Sequence, residues 1–108
     1  MMSRIRRFEI IYPPIIKQHL KSIETKYYSQ IRETLESQLT FETDVETRNR
    51  KPLMRTVVFE GIWEIRFGPD NRFRAFYRID YVNLKVVLFA IGEKIKDHLY
   101  IGGEEVEI

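Results

Sequence analysis

Between residues 62 and 91 apolar side chains recur at every second position, and this alternation constrains the fold more than any other feature of the chain. The period of two that marks a half-buried strand is read from Thr56 onward and resolves into three runs, Ile62 to Phe67, Phe73 to Asp80 and Lys85 to Ile91. Gly68-Pro69-Asp70-Asn71 separates the first two runs and Asp80 to Asn83 the second two, so the three form an antiparallel meander. Burial then selects the register. If a five-residue loop spans Gly68 to Arg72, Phe67 faces Phe73, Ile65 faces Ala75 and Trp63 faces Tyr77. A four-residue loop sets Phe67 against Arg72 and mixes the two faces. The favoured register also puts Arg66 opposite Arg74 and Glu64 opposite Phe76, with Arg72 and Arg78 on the same side. Two opposed arginines repel by about a few tenths of a kcal/mol or more. Either Glu64, diagonal to Arg74, neutralises the pair in an ordinary solvated cluster, or the paired guanidinium donors await a phosphate.

Upstream the period lengthens. Arg7 to Tyr12 (RFEIIY) is a β-rich run stopped by Pro13-Pro14, which suits the first turn of a helix. Ile16, Leu20 and Ile23 follow at helical spacing, then Tyr28, Ile31, Leu35 and Leu39, so two amphipathic helices form a hairpin. Thr40 to Arg50 has no period and reads as the loop from helices to sheet. Beyond Gly92, the segment Glu93 to Ile101 is expected as a short helix before Gly102-Gly103 and an acidic tail.

One domain over residues 1–108 is all that this length allows. With 44% apolar and 31% charged residues it belongs with folded soluble chains. Cysteine is absent, which removes disulfides and thiolate metal sites. No apolar run reaches the roughly 18 residues of a membrane span, and Met1 to Arg7 lacks the core of a signal peptide, so a cytoplasmic location is expected. A net charge of +2 does not by itself suggest a polyanion partner, but the cations gather at Arg4, Arg6 and Arg7, at Arg48, Arg50, Lys51 and Arg55, and at Arg66, Arg72, Arg74 and Arg78. The acids lie mostly in the helical segment and at Glu104, Glu105 and Glu107.

In order along the chain, RFEIIYPP, NRKPL, WEIRFGPDNRFRAFYRID and KVVLFAIGEK resemble the RelE/ParE superfamily of bacterial toxins, over almost the whole length. The resemblance implies an α+β fold of β-α-α-β-β-β order, with a helical hairpin on one face of a twisted antiparallel sheet. It also implies the toxin of a toxin–antitoxin pair, partnered by a cognate antitoxin. Members similar to RelE cut messenger RNA in the ribosomal A site with neither metal nor small-molecule cofactor, making the RNA 2′-hydroxyl the nucleophile. Such chemistry needs a base or orienting group, cations for the phosphorane and a donor for the 5′ oxygen. The resemblance places these roles on Arg66, Arg74, Lys94 and Tyr100. Glu64 stands where the best-known ribonuclease member is basic, and serves as a base only on the pattern of other members. Lys94 replaces a guanidinium with an ammonium. Lys51, Arg55 and Arg72 are read as an RNA-steering rim.

His98, two residues before Tyr100, is read as an exposed helix histidine in preference to an acid or base, and His19 as structural. Two other readings stand beside the nuclease: a ParE-like inhibitor of DNA gyrase without catalysis, and a silent member that acts by pairing with its antitoxin.

Overall fold

The computed structural model describes residues 6–53 and 61–107. Arg55, Thr56 and the start of the period-two region lie outside them. Strand β1 (Glu9–Ile11) leads through Pro13 into helix α1 (Pro14–Leu20), whose first position is a proline, and a 3₁₀ turn (Thr25–Tyr27) runs into α2 (Tyr28–Leu39). The Tyr28 hydroxyl donates to the Leu20 carbonyl, closing the helical hairpin. Among the described residues six further strands follow: β2 (Arg50–Pro52), β3 (Ile62–Phe67), β4 (Phe73–Asp80), β5 (Lys85–Ile95), β6 (His98–Ile101) and β7 (Glu104–Val106). They form one sheet in the order β2-β3-β4-β5-β6-β7, while β1 pairs with the first part of β5. Every pairing is antiparallel except β1 with β5, which is parallel because α1 and α2 lie between β1 and the meander.

The first hairpin has the register that burial demands: Phe67 pairs with Phe73, Ile65 with Ala75, Trp63 with Tyr77 and Arg66 with Arg74. One face of the sheet therefore presents Ile65, Phe67, Phe73, Ala75, Tyr77, Leu88 and Ile91 to Ile16, Ile31, Leu35 and Leu39 of the helices, in a single core. The Tyr77 hydroxyl donates to the Thr43 carbonyl at 2.6 Å, and buried Arg50 donates to the carbonyls of Glu42 and Val45 and to Gln38. The segment after α2, expected as a plain loop, is thus tied down by hydrogen bonds and ends in the edge strand β2.

The expected C-terminal helix is replaced by strands. β5 continues to Ile95, and Lys96 and Asp97, at φ 49° and 68°, make a tight two-residue turn into β6. Gly102 and Gly103, also at positive φ, turn β6 into β7. Ile95 and Leu99 carry helical spacing, but the pleat uses the same residues in alternation. Between Ile11 at the end of β1 and Ile101 at the end of β6, Ile91 of β5 has no strand partner on that side among the described residues, and the Ile91 N–H donates to His19 Nδ1 at 3.3 Å. The structural role read for His19 is this cap. No helix among the described residues is long and apolar enough to cross a membrane.

Candidate nucleic-acid interface

The face of the sheet turned away from the helices carries the charge. Arg66 and Arg74 stand opposite each other on β3 and β4, next to a second, smaller apolar cluster of Ile62, Phe76, Ala90 and Leu99. Glu64 bridges the two arginines, accepting from Arg66 Nε at 3.3 Å and from Arg74 Nη1 at 3.5 Å. The compensation foreseen for the pair is therefore real, but the cluster is not an ordinary solvated one. Glu64 is 2% and Arg74 6% exposed. Desolvation, together with the Arg66 charge, lowers the pKa of Arg74 against the opposing pull of Glu64. Its Nε, also buried, has no hydrogen-bond partner among the described residues. Thr43 Oγ1 and Arg50 Nε share that condition, but Arg74 alone of the three borders a cleft where an acceptor, water or anion, can answer the donor.

A cleft of about 370 Å³ opens beside Arg74, with Lys94, Leu99 and Val106 in its wall. Lys94 shares the parity of Gly92, which pairs with Arg74, so strand alternation puts both cations on this face. Gly92 keeps the floor low: a Cβ there would come within 2.9 Å of Leu99 Cδ1 and of the Tyr100 carbonyl. Asp97, His98, Glu105 and Glu107 also border the cleft, and His98 Nδ1 is 2.6 Å from Glu105. Lys51 pairs with Glu64 and so lies on the same face, exposed at the edge.

Two of the expected site residues lie elsewhere. Tyr100 pairs with Glu93, which pairs with Phe73, so the pleat directs it to the opposite face, away from Arg66, Arg74 and Lys94. A helix over residues 93–101 leaves that parity undefined, whereas the strand fixes it. Arg72 precedes β4 in a helical backbone conformation and leaves the alternation. Its Nε pairs with Glu93 and its guanidinium lies 5.1 Å from the Tyr27 ring centroid, on the core side. Arg72 is held by the fold, and the bond to Glu93 raises its pKa. Arg55 lies outside the described residues. His98 is on a strand, exposed and bonded to Glu105, and what sequence reading missed is that β6 brings it to the border of the cleft. Among the described residues there is no group of three or more histidine, cysteine or acidic side chains arranged to hold a metal ion.

No protein-family model and no curated protein matches the chain in sequence. In the solved structures the architecture recurs: a chain of the toxin–antitoxin complex RelBE2 from Mycobacterium tuberculosis matches with a TM-score of 0.70 at 20% identity, over 86% of this chain and 98% of that one. The chain therefore has the RelE-like α+β fold expected from its sequence.

Proposed function

We propose that this protein is the toxin of a toxin–antitoxin pair and a metal-independent endoribonuclease that inhibits translation by cutting messenger RNA on the ribosome. The observation that supports this reading best is Arg74: a buried guanidinium, opposed by Arg66, short of one acceptor and open to a cleft shared with Lys94. A phosphate diester entering the cleft accepts from Arg74 and Arg66, which would loosen their hold on Glu64. The freed carboxylate is then the group placed to take the proton of the 2′-hydroxyl. The 2′ oxygen attacks phosphorus, the bond to the 5′ oxygen breaks, and the two arginines meet the charge on the phosphorane. Lys94 is the donor to the departing 5′ oxygen, leaving a 2′,3′-cyclic phosphate. Tyr100, on the other face, takes no part.

The partner in this reading is a cognate antitoxin. An apolar groove of about 540 Å³ between the helices, walled by Tyr12, Ile16, Leu20, Tyr28 and Ile31 and flanked by Lys17 and Arg32, suits an apolar segment bearing carboxylates. The neighbouring gene product should co-purify with the protein.

Incubating the purified protein with translating ribosomes and mapping the RNA ends tests the enzymatic part. New ends bearing cyclic phosphate are expected, also in excess chelator with polyamines keeping the ribosomes intact. Intact RNA together with inhibited supercoiling by DNA gyrase would transfer the fold to the gyrase reading; intact RNA with active gyrase leaves the silent antitoxin partner.

A further inference from the structure

On the arginine-bearing face, β5 accommodates one residue more than β4. Phe76 pairs with Ala90 and Tyr77 with Leu88, so Phe89 is the extra residue of a β-bulge. A bulge releases its residue from strict alternation and re-aims the side chain. The Phe89 ring leans to the Phe76 ring, 6.4 Å between centroids at 38°, and stays 37% exposed while Phe76 is buried. Phe76 lies on the same face of β4 as Arg74 and Arg78, about 7 Å from each along the strand. Across the sheet its row continues to Glu64 and then Lys51.

A lone exposed phenylalanine needs no explanation. This one is held out of the sheet by a backbone irregularity and framed by cations. Single-stranded RNA offers the matching chemistry, a flat base between two phosphates, and base stacking on aromatic rings is how such strands are held. We propose that Phe89 is a stacking platform for a base of the RNA whose phosphates lie on Arg74 and Arg78, which rests on the RNA reading above. Every base has a π face, so Phe89 supplies affinity and places the strand over the cleft without selecting a sequence.

The test uses a short single-stranded RNA with 2-aminopurine at one position in turn, and a matching set with an abasic site. Bound to the unaltered protein, one position should show stacking-induced quenching. Phe89→Ala should abolish that quenching and weaken binding about 5- to 100-fold, and Phe89→Trp should restore both. An abasic site at the quenched position should weaken binding to the unaltered protein by a similar factor, and because this loss is read without any variant it keeps the test valid even if the alanine variant folds poorly. Undiminished binding and quenching with Phe89→Ala overturn the proposal while leaving the RNA reading in place. Loss of antitoxin binding with RNA binding intact overturns it in favour of a protein-docking ring. No RNA binding by the unaltered protein strikes the broader functional reading itself.

Discussion

Arg72 and Arg74 are two residues apart and end on opposite faces of the sheet with opposite fates. Arg72 is clamped: Glu93 accepts from its Nε and Tyr27 lies under its guanidinium. Arg74 is buried more deeply, shares its carboxylate with Arg66 and leaves one donor unanswered. A cation held between a carboxylate and an aromatic ring of its own fold is part of the scaffold. One buried with a donor to spare, against a like charge, is held at a cost that a ligand can relieve. The same residue type is therefore held by the fold in one place and, on the proposed function, poised for chemistry in the other, and the difference can be broken by substitution.

The largest effect is expected at Arg74. Arg74→Ala should lower ribosome-dependent cleavage by about two to three orders of magnitude, the usual consequence of removing one donor to a developing charge. Stability should fall by only about 1–2 kcal/mol, because Arg66 still neutralises Glu64 and the repulsion disappears. Thermal melting beside a cleavage assay checks both, and full activity in a folded variant would falsify the catalytic assignment.

Glu64→Gln should come next and should move stability as well. It leaves two guanidinium groups facing each other without their carboxylate, at a cost of about 2–3 kcal/mol after allowance for the partial exposure of Arg66. Cleavage should drop with it. Retained activity in the glutamine variant would place the general base elsewhere, and His98 would be the residue to test.

Arg72→Ala reverses the pattern. Glu93 loses its partner and Tyr27 its cation, so melting should show a loss of about 1 kcal/mol, discounted because a third of the Arg72 side chain faces water. Cleavage per folded molecule should be unchanged; a specific loss of RNA binding would return Arg72 to the interface.

The smallest effect concerns His19. Its ring must be neutral at Nδ1 to accept from Ile91, and burial lowers its pKa below the ordinary 6.5. The unfolded chain then takes up the proton first, so this contribution is full above about pH 6.5 and is lost as pH falls through the folded value. His19→Gln should flatten the decline in stability between neutral and mildly acid pH, measured as the slope of denaturant midpoint against pH. An unaltered slope would assign it to other groups.

Much of the fold was legible in the residues because it depends on local patterning. The five-residue hairpin loop comes from the clash between Phe67 and Arg72 that any other parity creates, and the helical hairpin from the spacing of Ile31, Leu35 and Leu39. The C-terminal strands were not legible, since Ile95 and Leu99 fit both a helix and a strand. Lys96-Asp97 gives only a weak turn signal, and the choice was made by β5, whose open edge could pair with residues 98–101. The parity of Tyr100 was lost with that choice.

The sequence by itself determined which residues share a face wherever an apolar set must be buried, and so brought Arg66, Arg74 and Glu64 together. It also determined the order β1-α1-α2-β3-β4-β5, though not the short edge strand β2. Only the tertiary structure decided how deeply each charge is buried and who answers it. Those outcomes turn on distant partners: Glu93 and Tyr27 for Arg72, the β6–β7 hairpin beside Arg74, and His19 against Ile91. Alternation along a strand fixes direction, whereas desolvation and hydrogen bonding depend on segments that meet only when the chain has folded.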